Sequence, residues 1–290
     1  MLPPVMKPAP FQYHAPKTVD EAVALLAQVA PDDGRILAGG QSLVPTMAFR
    51  LARPRHLIDI NGIEALKRLA VENGKLCIGA GTRHAAFEKP PVDGPLGRLL
   101  SVVVQNIAHH PIRTRGTFCG SVAHADPASE WCALSATLDA EMVAKSTRGS
   151  RVIPARDYFQ GIMSTALAED ELLIEVQLPV LPADTRVGFN EFNRRAGDFA
   201  YAMGVVTYRV VNGVIADARV GVGGAEASPR RMTNAEAALN GRAPGAEAFQ
   251  AAGEAAAKAS DPLDDEMTSA DYRRDLIATV VRRALEQAKQ

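Results

Sequence analysis

The sequence predicts an α+β protein with two domains that divide near residue 178. The first observation is the stretch 179–184, in which two prolines flank a short apolar run and so indicate a linker. The second is a set of three strand-like runs after this linker, at 187–194, 200–211 and 214–221. The last two runs flank Asn212-Gly213, a dipeptide typical of tight hairpin turns. Helical patterns follow these runs, which predicts a three-stranded antiparallel sheet with helices, assigned to a C-terminal domain of residues 179–290.

The first domain, residues 1–178, divides into lobes of about 1–61 and 62–178. In the first lobe, Thr18 and Glu21 have the spacing of a capping box at the start of an amphipathic helix. The other elements predicted in this lobe are a strand at 35–38, a helix at 45–51 and a strand at 56–60.

The second lobe opens on a predicted β-hairpin, because two apolar runs flank Asn73-Gly74. A second helix start is predicted at Asp126, as an N-cap acceptor followed by Pro127 at the first helical position. The helices predicted from apolar spacing are 96–108, 126–138, 233–239, 246–259 and 270–287. The strands predicted in the second lobe are 66–71, 76–80, 142–145, 151–154 and 171–178.

Composition and charge argue against a nucleic-acid-binding protein, a membrane protein and a metal-binding chain. The 290 residues carry a formal net charge of −1, which gives no electrostatic case for binding nucleic acid or an anionic membrane. We expect no membrane insertion and no signal peptide at 1–7, because no apolar run approaches spanning length. The three cysteines lack C-x-x-C spacing, so they indicate reduced thiols in a cytoplasmic protein and no metal or cluster site on this chain.

A glycine pair follows the first predicted strand in the sequence Ala38-Gly39-Gly40-Gln41-Ser42. Adjacent glycines permit a tight turn and leave backbone N–H groups uncovered, while Gln41 and Ser42 add neutral polar side chains. The spacing is neither the G-x-G-x-x-G of a dinucleotide-binding unit nor a P-loop. Taken alone, this pair is weak evidence for a phosphate site.

A second glycine-bearing segment runs from Arg113 to Trp131 and is predicted to be a loop that ends at the Asp126 helix start. Gly116 and Gly120 allow close backbone approach, and Thr117 and Ser121 supply hydroxyl groups. An ordinary surface turn is the alternative for this loop by itself. Two such segments in one chain favour a shared site for a pyrophosphate group.

The two segments together resemble the flavin-binding loops of the medium subunit of molybdenum hydroxylases, the carbon monoxide dehydrogenase, quinoline oxidoreductase and xanthine dehydrogenase family. The likeness extends over nearly the whole chain. It includes Asp170-Glu171-Leu172-Leu173, Arg194-Arg195-Ala196-Gly197-Asp198 and Ser269-Ala270-Asp271-Tyr272-Arg273-Arg274. The resemblance implies the two-lobed FAD-binding fold of the PCMH type. One position departs from the family pattern, since Cys119 stands where the second loop usually has a glycine.

The resemblance implies a set of cofactor-binding residues and no catalytic or metal-binding residue on this chain. Glu130 is alternatively a first-turn helix charge, and Leu173 is alternatively a plain core residue. Arg113 and Arg115 stay outside the set, because arginines before a loop are often surface groups. The implied FAD-binding residues are Arg35, Leu37, Ala38, Gly39, Gly40, Gln41, Ser42, Leu43, Ile107, Ala108, Thr117, Gly120, Ser121, His124, Asp126, Glu130 and Leu173.

The same resemblance implies a role in electron transfer. In the family, a molybdenum-pterin cofactor on a large subunit oxidises the substrate, and 2Fe-2S clusters on a small subunit carry the electrons away. The chain is therefore expected to bind the FAD that receives them and to pass them to an external acceptor, as part of a dimer of heterotrimers. Two alternatives stay open at this point: a self-sufficient flavin-dependent oxidase and a non-catalytic nucleotide-binding module.

Overall fold

The computed structural model describes residues 7–289, and the segment 1–6, for which no signal peptide was expected, lies outside the described residues. The first part of the chain forms a small parallel sheet with strand order β1-β3-β2. Helix α1 begins at Thr18, whose hydroxyl accepts from the Glu21 amide while the Glu21 carboxylate accepts from the Thr18 amide. The elements are β1 (Gln12–His14), α1 (Val19–Val29), β2 (Gly34–Leu37), α2 (Leu43–Ala48) and β3 (His56–Asp59).

The next part of the chain forms an antiparallel sheet with strand order β4-β5-β10-β6-β7. Its helices pack against this sheet and bury an aromatic group of Phe87, Phe118 and Trp131. The elements are β4 (Leu69–Glu72), β5 (Lys75–Gly79), α3 (Pro95–Val104), α4 (His110–Arg113), α5 (Phe118–His124), α6 (Glu130–Thr137), β6 (Glu141–Ser146), β7 (Gly149–Pro154), α7 (Ala155–Tyr158), β8 (Phe159–Gly161), β9 (Ser164–Thr165) and β10 (Leu172–Pro179).

The C-terminal part contains a third sheet with strand order β11-β12-β13-β14, followed by three helices. The predicted three-stranded meander is present, and the two-residue strand β14 adds a fourth strand at its edge. The elements are β11 (Arg186–Phe192), β12 (Ala202–Val211), β13 (Val214–Gly223), β14 (Arg230–Arg231), α8 (Thr233–Leu239), α9 (Ala246–Ala259) and α10 (Ala270–Lys289).

The third sheet is covered on both faces. On one face, Gly188 and Gly204 let the backbone of α10 approach, since a Cβ at Gly188 would lie 2.0 Å from the Ala284 carbonyl oxygen. On the other face, Gly221 and Gly223 leave room for α6, since a Cβ at these positions would meet the side chains of Thr137 and Ala133. Residues of β11 and β12 therefore share one hydrophobic core with the helices of the preceding part of the chain.

The sequence prediction was wrong about the segment after Gly116. The residues expected to form a loop are helix α5, with Thr117 as its N-cap. Asp126 does not cap a helix: its carboxylate accepts from the Ala128 amide 2.9 Å away, and the next helix begins only at Glu130. The Asp-Pro pair thus forms a turn between two short helices. The local sequence does not distinguish such a turn from a helix start, because Asp followed by Pro is common in both.

Candidate functional site

The two glycine-bearing segments converge on one cleft of about 490 Å³. Three parts of the chain supply most of its walls: the turn from β2 into α2, the first turns of α5, and the residues from β9 to the start of β10. The volume lies within the range of small-molecule and cofactor sites. The sequence-predicted residues that line it are Arg35, Leu37, Ala38, Gly39, Gly40, Gln41, Ser42, Leu43, Thr117, Gly120, Ser121, His124 and Leu173.

Gly39 is the point at which the two segments touch. A Cβ on Gly39 would lie 2.5 Å from both the Arg115 carbonyl oxygen and the Gly116 Cα. Because the atoms that occupy this space belong to the backbone, they cannot move aside as the end of a side chain could, and a larger residue cannot be accommodated. The close approach of the two segments therefore requires glycine at this position.

Gly40 is required for a different reason. Its φ is +71°, in the left-handed region that disfavours residues with a Cβ. A Cβ there would meet the Leu37 and Val44 side chains at 3.1 Å. The Gln41 side-chain amide donates to the Gly39 carbonyl oxygen at 3.1 Å and steadies the same turn.

Thr117 closes the opposite wall by capping α5. Its hydroxyl oxygen accepts from the Gly120 amide at 3.0 Å, and its backbone is extended as an N-cap requires. A Cβ on Gly120 would lie 2.5 Å from the same hydroxyl oxygen. Gly120 thus keeps the cap hydroxyl in place, while Ser121 and His124 face the cleft from the following turn.

Cys119 is part of the core behind this wall. The residue is 2% exposed, and its thiol donates to the Ile78 carbonyl oxygen of β5 at 3.2 Å. Burial raises the pKa of this thiol far above its usual value, so it stays protonated. The departure from the family pattern is accommodated because the side chain packs against the sheet.

Ile107, Ala108, Asp126 and Glu130 are not among the residues that line the cleft. The carbonyl oxygens of Ile107 and Ala108 accept from Arg113 Nη1 at 3.1 and 3.2 Å. Arg113 also pairs with Glu88 at 2.8 Å, and these contacts give it a structural role at this point of the chain. The assignment of these four residues to the cofactor stays a prediction.

Glu130 is the first residue of α6, the helix that packs against the third sheet, and it is buried. The residue is 9% exposed, and burial, with a smaller contribution from the Asp126 charge, raises the pKa of its carboxyl to about 7. Across the interface, burial followed by the charge of Glu130 raises the pKa of Glu191 to about 8. These carboxyl groups therefore change their protonation state near neutral pH.

The cleft also contains residues that sequence reasoning missed. Thr82, Arg83 and His84 pair with the second segment: the His84 amide donates to the Gly116 carbonyl oxygen and the Phe118 amide to the Thr82 carbonyl oxygen, both at 3.0 Å. This pairing places His84 in the cleft wall. No motif marks these residues, because the contact joins positions more than 30 apart in the chain. Met163, Ser164 and Thr165 also line the cleft.

Arg83 joins the two glycine-bearing segments. Its guanidinium donates to the Arg115 carbonyl oxygen and, at 2.7 Å, to the Asn61 side-chain oxygen. The Asn61 amide in turn donates to the Ala38 carbonyl oxygen at 2.8 Å. Burial, and next the charge of Arg115, lowers the pKa of Arg83.

Within residues 7–289, no cluster of three or more histidine, cysteine or acidic residues has the geometry to hold a metal ion. In the same residues, no helix combines the length and the apolar character needed to cross a membrane.

Two family models match consecutive parts of the chain. The model described as the FAD binding domain in molybdopterin dehydrogenase matches residues 9–181. The model described as the CO dehydrogenase flavoprotein C-terminal domain matches residues 188–288.

Individual proteins match over almost their full length. The nicotine 6-hydroxylase medium subunit of Paenarthrobacter nicotinovorans is 36% identical, with 98% of this chain and 99% of that protein covered. The structure of carbon monoxide dehydrogenase from Hydrogenophaga pseudoflava that lacks the Mo-pyranopterin moiety matches with a TM-score of 0.93 and 38% identity, covering 97% of this chain and 98% of that one. Quinoline 2-oxidoreductase from Pseudomonas putida 86 matches with a TM-score of 0.90 and 33% identity, covering 98% of each chain.

Proposed function

The chain belongs to the family of FAD-binding medium subunits of molybdenum hydroxylases, and we propose that its cleft holds FAD. In this proposal the FAD transfers electrons between an iron–sulfur subunit and an external acceptor. The family expected from the sequence and the α+β fold are thereby confirmed. The observation that carries the proposal is the convergence of both glycine-bearing segments on one cleft, in contact at Gly39 and Gly116.

The residues of the cleft fit this cofactor. Backbone N–H groups beside Gly39 and Gly40, with the hydroxyls of Ser42 and Ser121, are suited to a diphosphate, because small residues leave its oxygens room to approach. Leu172 and Leu173 offer an apolar wall for a planar ring. When bound, FAD supplies one- and two-electron chemistry that the chain's own side chains lack.

The role of this chain in that chemistry is to bind and orient the cofactor. Among the described residues of the cleft, no hydroxyl or thiol is hydrogen-bonded to a histidine or carboxylate that could act as its base. His84 is held neutral, since burial lowers its pKa to about 4. The cleft residues fix the position of the cofactor and limit its contact with water.

We further propose that the chain works in a dimer of heterotrimers with a small 2Fe-2S subunit and a large molybdopterin subunit. The relatives that support this are the medium subunit of a nicotine 6-hydroxylase, the medium chain of a carbon monoxide dehydrogenase and subunit alpha of a 6-hydroxypseudooxynicotine dehydrogenase complex. The proposed division into an FAD-binding domain at 1–178 and a C-terminal domain at 179–290 has support from the two family models, which meet between residues 181 and 188.

Two measurements test the proposed function. The purified chain should show a flavin absorption spectrum, and acid precipitation should release all of the flavin as FAD, because the proposed binding is through non-covalent contacts to backbone and hydroxyl groups. A colourless chain that takes up no added FAD would contradict the proposal and favour a non-catalytic module. Oxidation of NAD(P)H or an alcohol with oxygen by the chain alone would favour a self-sufficient oxidase.

A further inference from the structure

His84 is a buried imidazole at the edge of the cleft whose role the cleft residues described above do not explain. The residue is 4% exposed and lines the cleft beside Gly116. It begins a short 3-10 helix (His84–Phe87), which four residues separate from the end of β5, and its amide donates to the Gly116 carbonyl oxygen. Its backbone is therefore fixed to the second glycine-bearing segment.

Trp131 determines which ring nitrogen of His84 carries the proton. The indole N–H of Trp131 lies 2.9 Å from His84 Nδ1, and an indole nitrogen can only donate a hydrogen bond. Nδ1 must therefore accept, and in a neutral imidazole the proton then resides on Nε2. Trp131 is itself fully buried against Phe87 and Phe118, so this tautomer is held by the core.

The Nε2 edge of the ring occupies the space that a side chain at position 116 would need. A Cβ on Gly116 would lie 2.5 Å from His84 Nε2 and 2.6 Å from Cδ2. Among the residues that the structure describes, none accepts a hydrogen bond from Nε2. The ring thus presents an N–H donor without a protein acceptor at the contact between the two glycine-bearing segments.

We propose that His84 is a cofactor-contacting residue, whose Nε2–H donates to a diphosphate oxygen of bound FAD in the tautomer set by Trp131. The inference rests on the proposed function, because it needs FAD in this cleft. A neutral donor suits the position, since burial and then the charges of Arg83 and Arg113 oppose protonation of the ring. Gly116 is required for the same contact, because any side chain there would displace the ring.

The decisive experiment compares three forms of the full chain. The His84→Gln side chain can reproduce both functions, with its oxygen accepting from Trp131 and its amide donating in place of Nε2. The His84→Leu side chain can do neither. FAD affinity should fall about 10- to 100-fold in His84→Leu, the loss expected for a hydrogen bond to a charged group, and less than about threefold in His84→Gln.

A second readout locates the contact on the cofactor. The ³¹P resonances of bound FAD should shift between the wild-type chain and His84→Leu, and His84→Gln should restore them. His84→Leu also leaves the indole N–H of Trp131 unpaired, which lowers stability by itself. Thermal unfolding of each variant without FAD measures this loss separately from the loss of FAD affinity.

Each outcome decides a separate claim. If His84→Leu binds FAD as tightly as the wild type, or if the ³¹P resonances do not change, the role of His84 is overturned while the FAD site stands. If His84→Gln is as weak as His84→Leu, ring shape and not hydrogen bonding is responsible, and the inference is also overturned. If the wild-type chain itself binds no FAD, the proposed function fails.

Discussion

At the scale of single residues, the cleft depends on positions where a single Cβ has no room. Gly39→Ala should weaken FAD binding at least tenfold, because the new methyl group would lie 2.5 Å from backbone atoms of Arg115 and Gly116 and would separate the two segments. FAD titration followed by flavin fluorescence measures the change.

Gly62→Ala is the matched control in the same part of the chain. Its Cβ would meet only the end of the Lys17 side chain, at an ordinary 3.5 Å. FAD affinity should stay within about twofold of wild type in this control. Unchanged affinity in Gly39→Ala would mean that the contact between the segments is not needed to hold the cofactor.

Glu130 predicts a pH dependence of stability. Its carboxyl pKa is raised from 4.5 to about 7, mainly by burial, so between these values the folded chain holds a proton that the unfolded chain has released. The contribution of this proton to the free energy of unfolding is fully present below pH 4.5 and is lost as the pH rises through 7. Glu130→Gln should therefore be more stable than wild type at pH 8, by on the order of 3 kcal/mol, and the advantage should shrink towards pH 5.

Urea unfolding of the flavin-free chain at pH 5, 6.5 and 8 measures this difference. The exposed Glu64, whose side chain is 82% exposed, provides the control variant Glu64→Gln. A Glu130→Gln advantage that does not vary with pH would contradict the assignment of the raised pKa to Glu130.

At the scale of elements, the cleft is assembled by hydrogen bonds between segments far apart in the chain. Asn61→Ala and Arg83→Lys should each lower FAD affinity, because Asn61 holds the Ala38 carbonyl oxygen and Arg83 holds that of Arg115. The two substitutions should be non-additive by about 1 kcal/mol, since Asn61 and Arg83 are hydrogen-bonded to each other.

A double-mutant cycle of FAD dissociation constants measures this coupling. Arg156→Lys is the control, because the Arg156 side chain is 81% exposed and lies outside the cleft. Strict additivity of Asn61→Ala and Arg83→Lys would show that the two side chains hold the two segments independently of each other.

The sequence predicted the elements more completely than the site. Strand runs and the Thr18 capping box carry local signals, so their existence could be read directly. The pairing of residues 82–84 with 116–118 has no local signal, and His84 was missed for that reason. The error at Asp126 has the opposite origin: Asp-Pro is a strong local signal that fits a turn as well as a helix start.

At the scale of the whole molecule, helix α6 connects the cleft to the third sheet. It carries Trp131, which orients His84, and Thr137, which packs on Gly221. A Cβ on Gly221 would lie 1.8 Å from Thr137 Oγ1, so Gly221→Ala should destabilise the chain by about 1–3 kcal/mol.

Thermal unfolding measures this loss, and a second substitution tests its cause. Thr137→Ala removes the Oγ1 atom, so the double variant should lose less stability than the sum of the two single variants. A fully additive double variant would locate the strain of Gly221→Ala elsewhere.

The two glycine-bearing segments are proposed to form the FAD site together. Hydrogen exchange of the full chain with and without FAD tests this joint role, since bound FAD should slow exchange of backbone amides that it covers or orders. We expect protection in both 38–43 and 116–121, with little change in strand β12 of the third sheet. Protection of only one segment, or of the third sheet alone, would contradict it.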